Sequence, residues 1–121
     1  MKLTPSPFAP ASFPGTATAG VFTRSHTASA DVDWCRQALK LGKGRARALV
    51  VNAGNSNAFT GKAGILKNEA TLKAMAQTLN VDREQCFIAA TGVIGEPLAD
   101  SNYVGEMLPQ LEDKLDAPDW E

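Results

Sequence analysis

The chain of 121 residues has little of what several classes of protein require: one histidine, two cysteines, one tyrosine, and no block of like charge. Apolar runs such as "ALVV" (48–51) fall far short of the roughly 20 residues needed to cross a bilayer. Twelve basic and thirteen acidic residues leave a formal charge of -1. That balance provides neither the basic patch expected of a nucleic-acid binder nor the charge run of a disordered tail. One histidine and two isolated cysteines do not make a zinc ligand set, so neither metal nor cofactor is expected. Cys35 and Cys86 form no CxxC pair and read as small buried hydrophobes in a reducing compartment. The N-terminal "MKLTPSPFAPASFPG" lacks an apolar core of signal-peptide length, which argues against secretion. The expected location is the cytoplasm.

What is present is apolar content of 44%, enough for one domain to bury a core. Pro5, Pro7, Pro10 and Pro14 make the start extended, so residues 1–18 read as an arm and 19–121 as an α/β domain. Phe8 and Phe13 are expected to pin that arm to the core. "AGVFTR" (19–24) reads as a short strand. "DVDWCRQALKLGKG" reads as a helix, capped by Asp31 or Asp33 and ended by Gly42. "RARALVVN" is the strongest strand, and "AGNSNAFTGKAG" follows as a loop. Leu72, Met75, Ala76 and Leu79 recur at helical spacing in "ILKNEATLKAMAQTLN", with Asn80 as the stop. "QCFIAA" is a second buried strand, leading into "TGVIGEPLAD". Val104, Met107, Leu108, Leu111 and Leu115 define a last helix, in which Pro109 predicts a kink or break near Gly105. Strand and helix alternate, which defines a layered α/β domain. Alternation alone leaves a doubly wound sheet and a helix-covered sandwich both open.

Both strong strands end in loops of small and polar residues. If the strands run parallel, the loops emerge at one sheet edge, where open α/β sheets bind ligands. Asn52, Asn55 and Asn57 either shape a turn or offer a polar floor to a ligand. "GKAG" lacks phosphate-loop spacing, and no GxGxxG follows either strand, so nucleotide binding has no motif behind it. In "ATGVIGE", the Thr91 hydroxyl and the Gly92 N–H are adjacent donors able to converge on one oxygen, as in an oxyanion hole. The alternative is a strand-to-helix turn that needs Gly92 and Gly95 for their backbone freedom alone. His26, in "RSHTAS", has no evident catalytic partner and reads as a surface residue. Glu112, Asp113, Asp116 and Asp119 read as a solvated face.

"AGVFTRS", "VDWCR", "RALVVNAGNSNAFTG" and "ATGVIGEPL", in that order across residues 19–98, resemble the N-terminal part of the ornithine acetyltransferase family. Its members are also called glutamate N-acetyltransferases or arginine-biosynthesis bifunctional proteins. The closing "DW" is similar too. The resemblance implies part of a layered α/β sandwich, with helices packed on a mixed sheet. It implies transfer of acetyl from N-acetylornithine to glutamate, without a cofactor. Family precursors cleave themselves before a threonine, which becomes the nucleophile of a ping-pong reaction at the start of the C-terminal chain. The family's oxyanion pair matches Thr91 (hydroxyl) and Gly92 (N–H), while its substrate-binding threonines and lysine and its nucleophile lie beyond Glu121. "SFPG" also passes almost directly into "TATAGVFTR", where members carry further strand-forming sequence. The expectation is a partial copy with no nucleophile of its own, inactive alone, aggregation-prone when isolated, and partnered by the threonine-bearing chain in a hetero-oligomer. The competing expectation is a non-catalytic binding or assembly module on the same scaffold.

Overall fold

The computed structural model describes residues 2–5 and 15–114. Phe8, Phe13, Leu115, Asp116, Asp119 and the closing "DW" therefore lie outside the described residues. Lys2–Pro5, within the stretch read as an arm, form β1. Then come β2 (Thr16–Ala17), α1 (Ala30–Leu41), β3 (Arg45–Ala46), β4 (Ala48–Asn55), α2 (Gly61–Leu79), β5 (Cys86–Val93) and α3 (Tyr103–Glu112). A single 3-10 turn, Arg83–Gln85, precedes β5.

The main sheet has the order β1-β4-β5, with β1 antiparallel and β5 parallel to β4. It is therefore mixed, with helices packed on it, as the resemblance implies. Val50 pairs with Ile88 and Ala48 with Cys86, so these four share one face. Leu72 and Met75 from α2, and Val104 and Leu108 from α3, close over that face at 0–1% exposure. Each side chain so buried stabilises the fold by about 2–3 kcal/mol. α1 contributes Cys35 and Ala38 to the same cluster.

Four local expectations are corrected. "AGVFTR" is not a strand: Val21 is fully exposed, and no described strand lies beside it to take up its hydrogen bonds. Strand propensity alone does not hold an unpaired segment in a sheet. α1 is capped by Ser29, whose Oγ accepts from Val32 N–H at 3.4 Å, while Asp31 and Asp33 lie within the first turn. α2 begins four residues before Ile65, so "GKAG" is its first turn rather than a loop. Gly64 is a packing glycine there: a Cβ would lie 2.6 Å from Asn57 Oδ1. Finally, α3 runs through Pro109 without a break. Gly105 instead lets α3 approach α2, since a Cβ would meet that of Ala74 at 3.0 Å. Gly42 and Asn80 end their helices as expected, Asn80 in the left-handed conformation (φ 49°).

Candidate active site at the paired strand ends

β4 and β5 are parallel along their whole length, so both emerging segments leave the sheet at the same edge. Both strands run further than the sequence pattern indicates, to Asn55 and Val93. Thr91 and Gly92 are consequently strand residues, not turn residues. Gly54 stands opposite Gly92, and both have positive φ, 118° and 129°. A Cβ on Gly92 would sit 2.3 Å from the Gly54 carbonyl carbon and 2.4 Å from its oxygen. Only glycine fits this crossing point.

The direction of the Gly92 amide follows from the ladder. Arg47 N–H donates to Gln85 O at 2.8 Å, and Ser56 N–H donates to Val93 O at 2.9 Å. Odd-numbered residues of β5 thus face β4 at both ends of the pairing, and even-numbered ones face the outer edge. Two side chains of α1 confirm the alternation: Trp34 Nε1–H donates to Cys86 O at 2.9 Å, and Cys35 Sγ–H to Ile88 O at 3.1 Å. α1 thereby covers the first half of an exposed strand edge. The cover ends before Gly92, whose N–H points outward beyond it. Thr91 and Gly92 are both exposed, as are Val93 (55%) and Ile94 (66%). A groove of about 330 Å³, walled by Phe22, Leu39, Leu49 and Phe87, reaches Ala89 and Ala90, the residues just before this pair. A larger cleft of about 440 Å³ lies elsewhere, between the starts of α1 and α2, and includes neither Thr91 nor Gly92.

Of the three asparagines, Asn52 and Asn55 lie in β4 and Asn57 just after it; Asn52 and Asn57 are buried and Asn55 is half-buried. Asn52 Nδ2–H donates to Asn55 O at 2.9 Å. Asn55 Nδ2–H donates to Glu96 O, tying the β4 loop to the turn after β5. Asn57 is 3% exposed, and the two protons of its Nδ2 are shared among three acceptors, Asp31 Oδ1 (3.0 Å), Gly64 O (3.1 Å) and Asn68 Oδ1 (3.1 Å). Thr60 Oγ1–H donates to Asn57 Oδ1 at 3.0 Å. Sequence reasoning missed this cluster's other members, Asp31, Lys67, Asn68 and Thr71, all buried. The available signal was polar residues at i, i+1 and i+4 (Lys67, Asn68, Thr71) leading into the apolar stripe of α2.

The remaining reactive groups are poorly suited to catalysis. Burial raises the Cys35 thiol above its ordinary range, with Asp31 adding to the effect and the Ile88 carbonyl opposing it. Burial pushes Cys86 up to about 12, helped by Glu84 and Asp82. Both are free thiols held protonated, which disfavours them as nucleophiles. His26 is exposed in the irregular segment before α1, and Glu112 and Asp113 are exposed at the end of α3. Among the described residues, no three His, Cys, Asp or Glu side chains cluster, and no helix is long and apolar enough to cross a membrane.

The architecture is a mixed sheet overlaid by helices, with Thr91 and Gly92 exposed at its strand ends. The chain belongs to the ArgJ family, which it matches over residues 10–119. The arginine biosynthesis bifunctional protein of Bradyrhizobium diazoefficiens is 49% identical over 106 residues, covering 88% of this chain and 25% of that protein. Its counterpart in Mesorhizobium japonicum is 53% identical over 89 residues, covering 74% and 21%. The chain thus spans about a quarter of the length of these relatives. Among solved structures, the Bacillus halodurans ArgJ protein superposes with a TM-score of 0.71 at 26% identity, over 78% of this chain and 48% of that one. The Mycobacterium tuberculosis ornithine acetyltransferase, solved with ornithine, gives 0.63 at 35% identity, over 78% and 53%.

Proposed function

We propose that this chain is the oxyanion-bearing N-terminal part of an acetyltransferase that moves acetyl from N-acetylornithine to glutamate in arginine biosynthesis. The nucleophilic threonine belongs to a separate C-terminal chain, without which this chain is inactive. The reaction proceeds in the cytoplasm and uses no cofactor. When the threonine oxygen adds to the acetyl carbon, the carbonyl oxygen gains negative charge. The Thr91 hydroxyl and the Gly92 N–H donate to it there. The proton lost by the threonine hydroxyl passes to the ornithine nitrogen, so that collapse breaks the C–N bond, releases ornithine as an amine and leaves acetyl on the threonine oxygen. The glutamate amine then attacks that ester, and its proton returns to the threonine oxygen as the C–O bond breaks. The segment carrying Asn52, Asn55 and Asn57 frames this position.

One observation carries the reading: the Gly92 amide faces the outer edge of β5 beyond the reach of α1, beside an exposed hydroxyl. A donor of this kind is worth about 3–4 kcal/mol in the transition state. The test pairs the full chain with the threonine-bearing C-terminal chain of a relative and follows acetyl exchange between N-acetylornithine and glutamate. Thr91→Val is expected to lower kcat about 10²–10³-fold with an unchanged melting temperature. Wild-type turnover by that variant removes the catalytic role. No exchange by the wild-type pair, despite formation of the complex, favours the non-catalytic module.

A further inference from the structure

Behind the strand ends lies a second polar site that the acetyl-transfer reading does not use. A small chamber of about 10 Å³ is lined by Asp31 from α1, Val50 and Asn52 from β4, Lys67, Asn68 and Thr71 from α2, Ile88 and Ala89 from β5, and Val104 from α3. Its polar residues are 3–9% exposed. Three donor atoms on this wall, Lys67 Nζ, Asn68 Nδ2 and Thr71 Oγ1, are fully buried without a hydrogen-bond partner in the described structure. Asn68 Oδ1 is already taken by Asn57, which fixes the Asn68 amide with its NH₂ group away from that contact. Buried donors left unpaired cost about 1–3 kcal/mol each, more when charged. Three unpartnered polar atoms around one chamber point to a common hydrogen-bonding occupant.

The size and charge of the chamber select the occupant. About 10–15 Å³ is the space that one water needs, and a buried water makes two to four hydrogen bonds. A bare cation would face the Lys67 ammonium, and an anion would face the Asp31 carboxylate. A neutral molecule with two lone pairs and two protons suits both. We propose that one water occupies this chamber, accepting from Lys67 Nζ and Asn68 Nδ2 and donating to Asp31 and Thr71 Oγ1. The water is a shared ligand of α1 and α2, held against both strands of the parallel pair.

The test has two arms on the full chain. A crystal structure that resolves ordered solvent is expected to show one peak bonded to Lys67, Asn68 and Asp31. Lys67 Nζ in direct contact with Asp31 and a collapsed chamber overturns the proposal, as does a bromide peak there after soaking. Lys67→Met and Thr71→Val, made singly and together, supply the second arm. A shared water makes their effects interdependent, so the double variant is expected to lose less melting temperature than the sum of the singles, by about 4 °C or more. Additive losses overturn it.

Discussion

The segments leaving β4 and β5 begin at the same level of the sheet, Gly54 opposite Gly92, yet they use their polar groups in opposite ways. In the second half of β4 and just beyond it, the side-chain amides of Asn52, Asn55 and Asn57 donate to Asn55 O, Glu96 O, Asp31, Gly64 O and Asn68. At the end of β5, Thr91 and the outer edge of Gly92 remain exposed. The richer set of polar side chains is thus engaged in internal hydrogen bonds, and the sparser set is left exposed. Where a loop must be held rigidly beside a reacting group, its own hydrogen bonds go into holding it. The neighbour so held can leave its donors open.

The largest test of this contrast uses the two glycines. Both have positive φ, but only Gly92 is crowded; a Cβ on Gly54 has nothing within 4 Å. Gly92→Ala is expected to cost about 4 kcal/mol, from left-handed strain together with collision against the Gly54 carbonyl. Gly54→Ala carries the backbone strain alone, about 1–2 kcal/mol. Urea denaturation of both variants measures the gap. Equal losses would mean that the crossing of β4 and β5 is not what demands glycine at 92.

Next in size is Asn57→Ala. It removes the Asn57 donor from Asp31 Oδ1 and Asn68 Oδ1 and a second bond from Gly64 O, in a site only 3% exposed at residue 57. The expected loss is about 2–3 kcal/mol, with Thr91→Val close to neutral in the same assay. A loss below about 0.5 kcal/mol for Asn57→Ala would put the two segments on equal footing and break the contrast.

The two strong strands and all three helices were legible in the sequence, because apolar period and β-branched runs report on burial, whereas their parallel pairing was only a condition of the reading until the register showed it. Thr91 and Gly92 were legible as adjacent donors, and the family resemblance pointed to the same pair. What was not legible depends on contacts between segments distant in the chain. Gly64 resembles a loop glycine until Asn57 is seen against its carbonyl. Val21 and Phe22 resemble strand residues, but Val21 is solvent-exposed and Phe22 lies beneath the Arg36 guanidinium, 5.6 Å from its ring centre. Asp31 resembles a helix cap, yet it is buried against Asn57 while Ser29 does the capping. The burial of Asn52 and Asn57 is of the same kind, since composition says that they are polar and not which way they face.

The smallest effect is a change of slope with pH, and it probes the cluster that anchors the β4 segment. Burial lowers the Lys67 amine from its ordinary value, against a smaller opposing pull from Asp31, the other ionisable group lining the chamber. The unfolded chain therefore holds this proton up to higher pH than the folded one does. Between the lowered folded value and the ordinary 10.5, the Lys67 contribution makes stability rise with pH. The raised thiols act the other way: the unfolded chain loses their protons first, so they make stability fall with pH above about 8.5. Because the two effects oppose, the wild-type slope alone is uninformative, and the difference between wild type and Lys67→Met isolates the amine. Denaturant midpoints across about pH 7 to 10 are expected to rise less, or fall more, in Lys67→Met than in wild type. Parallel profiles would place the Lys67 amine in water, and the Asp31–Asn57–Asn68 cluster would then hold the β4 segment without it.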